Sequence, residues 1–147
     1  LLLQPPTGDF VVARPEKDIV LIAGGVGITP LLSMLLARIG TTKTGEGITF
    51  IKCCRDENHH IMKDELRNLS EQYGFNYKVA YEFGNGADHQ GYLDAAVLND
   101  WLKNREADVY FCGPRPFMNA LDKLLGAIGY AESQRHYEVF GAGTRLN

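Results

Sequence analysis

Residues 19–30 read Ile-Val-Leu-Ile-Ala-Gly-Gly-Val-Gly-Ile-Thr-Pro. The first five are a continuous apolar run rich in β-branched side chains, which is typical of a strand buried on both faces of a sheet. The glycines that follow predict a tight turn, and Thr29 and Pro30 suit the N-cap and the first position of a helix. The stretch therefore predicts a strand, a glycine turn and a helix in direct succession.

The same alternation continues along the chain. Further strands are predicted at residues 48–54, 76–81, 109–112 and 136–140. Helices are predicted at residues 30–39, 60–73, 95–103 and 116–128. Strands separated by such helices favour a doubly wound α/β fold, a five-stranded parallel sheet in the order 3-2-1-4-5 with helices on both faces. Residues 83–94 are expected to form the least constrained loop.

Composition excludes several classes of protein. The chain has 147 residues, 45% of them hydrophobic and 22% charged, which is typical of one globular domain. Its net charge of −3 provides no basic surface for nucleic acid or an anionic membrane. Its apolar runs are far shorter than the roughly 20 residues that span a bilayer. Three cysteines without a Cys-x-x-Cys spacing predict a reduced protein of the cytoplasm.

Two glycine turns are candidates for a ligand site. Gly25 and Gly27 match part of the dinucleotide fingerprint Gly-x-Gly-x-x-Gly, whereas Pro30 occupies its third glycine position. A second turn, Cys-Gly-Pro-Arg-Pro at residues 112–116, follows the fourth predicted strand. In the predicted order strands 1 and 4 are neighbours whose helices leave on opposite faces, which opens a crevice at their carboxyl ends. We expect a dinucleotide there, with its phosphates at a helix N-terminus. Taken singly, each turn is also explained as a simple connection between strand and helix.

Two patterns near residue 56 suggest other kinds of site, a ribose-binding acid and a metal centre. Asp56 resembles the acidic ribose partner of ordinary dinucleotide-binding folds, but Arg55 precedes it and the third glycine is absent, so this role is disfavoured. His59 and His60 suggest a metal site. Adjacent residues on a helix do not converge on one ion, and no further ligands follow at a suitable spacing. We therefore expect two solvated residues at a helix start and no metal.

Three ordered motifs together carry a resemblance to a known family. They are residues 24–30, the run Cys-Gly-Pro-Arg-Pro-Phe-Met at 112–118, and His-Tyr-Glu-Val-Phe-Gly at 136–141. Together they resemble the nicotinamide-nucleotide domain of the ferredoxin-NADP reductase superfamily. The last motif, with Pro-Pro-Thr-Gly-Asp-Phe at residues 5–10, is most similar to the flavohemoglobins, the bacterial and fungal nitric oxide dioxygenases. The resemblance spans nearly the whole chain.

The resemblance implies a set of site residues. Those implied to bind the cofactors are Gly25, Val26, Gly27, Thr29, Pro30, Arg55, Cys112, Gly113, Pro114, Phe117, Met118 and Phe140. The first glycine turn would face the pyrophosphate and nicotinamide, and Arg55 the adenosine. Cys112 would form a small polarizable wall beside the nicotinamide, and Glu138 and Phe140 would meet the flavin; these three are the implied catalytic residues. Position alone favours core packing for Phe140, a surface charge for Glu138 and an ordinary buried thiol for Cys112.

The resemblance also implies a domain organisation and a reaction. Residues 1–18 would be the tail of a missing FAD-binding barrel and a linker, and residues 19–147 the NAD(P)H-binding domain. The chain would be the C-terminal module of a flavohemoglobin whose FAD-binding and globin domains lie in the same full-length chain. Hydride would pass from NADH to FAD and electrons then to heme, and the module alone would be inactive. The alternatives are the reductase component of a multicomponent oxygenase and a non-catalytic nucleotide sensor.

Coenzyme preference is readable after the third strand. NADPH-using relatives place Ser-Arg there, because a 2′-phosphate needs a cationic partner. Residues 82–85 of this chain read Glu-Phe-Gly-Asn. NADH is therefore expected over NADPH, although Arg55 or Lys52 would weaken this preference if either cation reached the 2′-phosphate.

Overall fold

The computed structural model describes residues 17–25 and 28–139. In this part of the chain, parallel strands form one sheet with α-helices on both faces. The strands are β1 (Ile19–Gly24), β2 (Ile48–Cys54), β3 (Asn76–Tyr81), β4 (His89–Gln90), β5 (Asp108–Gly113) and β6 (Arg135–Val139). The α-helices are α1 (Thr29–Thr42), α2 (Lys63–Tyr73), α3 (Ala95–Trp101) and α4 (Arg115–Ala127).

The sheet has the order β4-β3-β2-β1-β5-β6, with six strands. The predicted five-stranded sheet is therefore wrong in strand number, although the five longer strands keep the relative order expected of them. The additional strand, β4, lies inside residues 83–94, which we expected to be a loop. It is held by backbone bonds, such as Gly91 N–H to the Tyr81 carbonyl at 2.7 Å, and by the Asp88 carboxylate, which accepts from Val79 N–H at 2.8 Å. A two-residue polar strand has no hydrophobic period, so the pattern of the sequence does not reveal it.

The core consists of two layers divided by the sheet. Leu21 of β1 packs with Leu31 and the other apolar residues of α1 on one face. Its neighbour Ile22 packs on the opposite face with Leu121 and other residues of α4. All six residues of β1 are buried, as expected of a central strand covered on both sides. Because α1 and α4 occupy opposite faces, the point where β1 and β5 meet is the switch point of the fold.

Helix α1 departs from its predicted bounds at both ends. Its N-cap is Ile28, without a side-chain cap bond, so Thr29 is the first helical residue and not the predicted N-cap. The helix continues through Gly40, where we expected it to end, and stops after Thr42, with Lys43 in the left-handed conformation. Gly40 does not have a positive φ, so nothing in its backbone forces an ending there.

The segment before α2 also differs from expectation. Helix α2 begins at Lys63 instead of about residue 60, and it ends before Gly74 as predicted. Residues Glu57–His59 form a 3₁₀ turn, in which Asp56 acts as a cap and accepts from His59 N–H at 3.1 Å. We predicted that His60 is solvated, and this prediction is wrong, because only 8% of the residue is exposed. It is buried because its ring nitrogens bond to the hydroxyls of Tyr81 and Tyr77, at 2.8 and 3.0 Å.

Candidate nucleotide-binding cleft

A cavity of about 530 Å³ opens at the carboxyl ends of the central strands. Its walls come from the ends of β1, β2 and β3, from the loop after β4, from the turn that joins β5 to α4, and from α4 itself. The lining residues are Gly24, Gly25, Cys53, Cys54, Arg55, Ala80, Glu82, Gly91, Tyr92, Leu93, Pro114, Pro116, Phe117, Ala120, Leu121 and Leu124. Both glycine turns thus contribute to one cavity, as the strand order predicted: Gly25 from the first and Pro114 from the second.

The two strands of the switch point approach each other closely under one aromatic ring. A Cβ atom placed on Gly24 or on Gly113 would lie 2.7 Å from the ring of Phe117, and on Gly113 also 3.1 Å from the Gly24 carbonyl oxygen. Real Cβ atoms do not make carbon contacts this short, so the side of the cavity formed by Phe117 requires glycine at both positions.

The far end of the cavity is formed by residues that follow β2 and β3. The backbone pairing continues past both strands, with Glu82 N–H donating to Cys54 at 3.0 Å and Phe83 N–H donating to Arg55 at 2.9 Å. Arg55 and Glu82 therefore line the same end of the cavity. The Arg55 guanidinium lies 5.9 Å from the centre of the Phe83 ring. Tyr92, which is 77% exposed, lines the cavity from the loop after β4.

Neither of the two cysteines on the cavity wall is a reactive thiol. Burial, with a smaller contribution from Cys54, raises the pKa of Cys53 to about 12, and burial also raises the pKa of Cys54. A neutral thiol is a small apolar surface and a poor nucleophile. This wall of the cavity therefore supplies shape and exclusion of water, not covalent chemistry.

Four of the predicted site residues meet in the cavity, namely Gly25, Arg55, Pro114 and Phe117. Gly113 lies directly beneath the Phe117 ring, against Gly24. Both glycine turns and the end of β2 therefore border one cavity, and their shared role in binding a ligand stays a prediction.

Other predicted site residues lie elsewhere among the described residues. Cys112 is 1% exposed and belongs to the core layer under α1, and Met118 is fully buried in the layer under α4. Thr29 is exposed and Pro30 is buried, both at the start of α1. The role of Cys112 beside a nicotinamide stays a prediction.

Several expectations concern positions outside the described part. Val26, Gly27, Phe140 and residues 1–16 lie outside the described residues. Glu138 is placed by its backbone alone, in β6 opposite Cys112 of β5. Its proposed contact with a flavin stays a prediction.

The sequence did not reveal some of the cavity wall. Tyr92 and Leu93 come from residues 83–94, where no periodic signal marks a site. Ala120 and Leu124 lie on α4, where an apolar stripe indicates core and cavity equally well. Glu82 directly follows a predicted strand that ends at the ligand edge, and this position could have marked it as a site residue. From the sequence we interpreted it only as the absence of a cation.

Across residues 17–25 and 28–139, no cluster of His, Cys, Asp or Glu is arranged to hold a metal ion. Among the helices of those same residues, none combines the length and hydrophobicity that crossing a bilayer requires.

The chain matches a family described as the oxidoreductase NAD-binding domain, over residues 21–123. A flavohemoprotein of Pseudomonas putida is 39% identical over 99% of this chain, and one of Bacillus subtilis is 33% identical over 95%. The chain spans only 38% and 37% of the length of these two relatives.

Solved structures agree with these relatives. The flavohem-like FAD/NAD-binding domain of a nitric oxide dioxygenase from Vibrio cholerae superposes with a TM-score of 0.78 and 34% identity, over 90% of this chain and 54% of the other. A flavohemoglobin from Malassezia yamatoensis, solved with bound FAD and heme, has a TM-score of 0.77 over 88% of this chain and 33% of its own. At 24% identity the second comparison supports the fold alone. The chain therefore belongs to the oxidoreductase NAD-binding domain family, as the NAD-binding domain of a flavohemoglobin-like protein.

Proposed function

We propose that the cleft binds NADH, and that in a full-length protein this domain serves hydride transfer from NADH to FAD and the later reduction of a heme for nitric oxide dioxygenation. NADH and FAD supply the hydride chemistry when they are bound, and the protein supplies position and a dry site. The partners of the domain would be the FAD-binding and globin domains of the same chain. None of the three cysteines, all of which lie in the described residues, forms a disulfide, which favours the reducing cytoplasm.

One observation carries the proposal: two glycine turns from strands distant in sequence line one cavity at the switch point of the sheet. Dinucleotides bind at such points because backbone N–H groups and a helix start converge there without obstruction by side chains. The glycines suit a dinucleotide site, because the lack of a Cβ at Gly24 and Gly113 lets the Phe117 ring form the cavity wall directly over the switch point. Gly25 has a φ of +56°, which the backbone of glycine adopts without strain.

The walls divide naturally between the two halves of the nucleotide. We assign Pro114 and Phe117, beside the glycine turns, to the nicotinamide half. Arg55, Glu82 and Tyr92, at the ends of β2, β3 and β4, would hold the adenosine half. Cys112, Glu138 and Phe140 keep their proposed roles at the nicotinamide and flavin rings, and Val26, Gly27 and Thr29 theirs at the pyrophosphate.

The function is tested by titrating the purified chain with NADH and with ADP-ribose in a calorimeter. We expect saturable binding of both, and almost no oxidation of NADH by an artificial acceptor until an FAD-binding domain is added. Failure of millimolar NADH to bind would overturn the assignment of the cleft. Rapid turnover without flavin would overturn the assignment of the domain as one part of a longer electron-transfer chain.

Glu82 is expected to discriminate between the two coenzymes. Its side chain lines the adenosine end of the cavity, where a carboxylate accepts from ribose hydroxyls and repels a 2′-phosphate. We expect wild-type protein to prefer NADH, and Glu82→Gln to raise NADPH affinity about tenfold, because one like charge is removed. Calorimetric titration with both coenzymes measures this ratio.

The matched control is Glu71→Gln, which removes an exposed charge from α2. It should leave the NADPH to NADH ratio unchanged. An equal gain of NADPH affinity in both variants would assign the effect to net charge and not to Glu82.

A further inference from the structure

Lys52 is a lysine in an unusual place. It lies in β2, one of the central strands of the sheet, and is 0% exposed. It shares its face of the sheet with the core residue Phe50. Burying an ammonium group is costly unless it is paired and hydrogen-bonded, so a fully buried lysine calls for an explanation. Burial lowers the pKa of Lys52, and the two neighbouring thiols oppose this only in part.

The Lys52 ammonium points at the first glycine turn. Its Nζ donates to the Gly25 carbonyl at 2.7 Å. The N–H of Gly25 in turn donates to the Cys53 carbonyl at 3.0 Å. Lys52 and Cys53, consecutive residues of β2, therefore hold both polar backbone groups of Gly25, at the point where the chain leaves β1 and enters the turn.

Among the described residues, no carboxylate forms an ion pair with Lys52. The side chains that act on its pKa are the thiols of Cys53 and Cys54. The positive charge of Lys52 also helps to lower the pKa of His60, which keeps that neighbour neutral. A buried cation that donates to a carbonyl of the turn carries positive potential to that turn.

We propose that Lys52 is a positioning residue for the pyrophosphate of the nucleotide, because it holds the Gly25 carbonyl from beneath and attracts the two phosphates through the glycine turn. The inference rests on the proposed function, since it names the residue that makes this cleft accept a diphosphate. The ammonium does not need to touch the ligand. In a site of low dielectric its charge acts across the loop, and its hydrogen bond keeps the entrance of the turn in place.

The test compares Lys52→Met, which keeps the length of the side chain and removes the charge and the donor, with wild type. We expect the Kd for ADP-ribose to rise about tenfold or more, as for loss of a charged hydrogen-bonding group, and the Kd for adenosine to stay within about twofold. Lys78→Met, in the neighbouring strand β3, is the control and should change neither. Binding is measured by NMR titration, which covers weak ligands.

Two results would overturn the inference. One is a folded Lys52→Met protein with wild-type affinity for ADP-ribose; the other is an equal loss for ADP-ribose and adenosine, which would indicate a general structural role. A wild-type protein that binds neither ADP-ribose nor NADH would contradict the proposed function instead.

A second measurement needs no variant, in case Lys52→Met does not fold. The Nζ resonance of Lys52 in wild-type protein labelled with ¹⁵N-lysine should shift on addition of ADP-ribose and remain in place with adenosine. An Nζ signal that saturating ADP-ribose leaves unmoved would also overturn the inference.

Discussion

Replacing Gly113 by alanine is expected to lower the free energy of unfolding by about 1–3 kcal/mol, the range for overpacking of a filled site. The new Cβ would lie 2.7 Å from the Phe117 ring and 3.1 Å from the Gly24 carbonyl oxygen. The backbone contact cannot be relieved by a rotamer change, and the Phe117 ring lines the cavity, so its displacement would change the cavity wall. We therefore expect NADH affinity to fall together with stability, as measured by urea unfolding and calorimetric titration.

A control and a rescue separate this clash from a general effect of alanine. Gly40→Ala lies in α1, where a Cβ would meet nothing within 4 Å, so it should be neutral or slightly stabilising. Phe117→Leu in the Gly113→Ala background should restore part of the lost stability, because it removes the ring that is struck. Wild-type stability and affinity in Gly113→Ala would show that the contact at the switch point tolerates a side chain.

Acid is expected to destabilise the fold through His60. Burial lowers the pKa of His60 from 6.5 to about 4, helped by the charges of Lys52, Lys63 and Arg67, with Glu57 acting in the opposite sense. Between pH 6.5 and about 4, His60 therefore binds a proton in the unfolded chain but not in the folded chain. The contribution of His60 to the free energy of unfolding is fully present above pH 6.5 and is lost as the pH falls towards 4. It amounts to about 3 kcal/mol over that window.

The measurement is urea unfolding at a series of pH values for wild type and for His60→Gln, which cannot take up the proton. The stability of the variant should fall less between pH 6.5 and 4, by up to about 3 kcal/mol. His89→Gln, outside the cluster of His60 with Tyr77 and Tyr81, should keep the wild-type slope. Parallel curves for wild type and His60→Gln would refute this account of the acid sensitivity.

The features that the sequence predicted well depend on neighbours along the chain. The central strand β1 was recognisable as a buried strand from five consecutive apolar residues, and the end of α2 from Gly74, which has a φ of +83°. The apolar positions of α2 share one helical face, so the burial of Leu66 was also foreseeable. Local periodicity and local backbone preference were sufficient in these cases.

The features that it missed depend on contacts between distant segments. His60 was expected in solvent, yet it is buried because Tyr77 and Tyr81 lie opposite it, on a strand that follows the whole of α2. Lys52 stands in a predicted strand, and only the fold places the Gly25 carbonyl against its ammonium. Strand β4 has two residues and no pattern, so only its hydrogen bonds to β3 define it.

The sequence by itself determined the order of the α-helices and of the five longer strands along the chain, the two glycine turns and the family to which they belong, because each is encoded in residues a few positions apart. Tertiary structure alone decided that Phe117 covers Gly24 and Gly113, that Glu82 and Arg55 share one end of the cleft, and that a buried ammonium lies under the first turn. The physical reason is that these are contacts between strands that come together only when the sheet assembles. Their distances, and so their energies, do not exist in the extended chain.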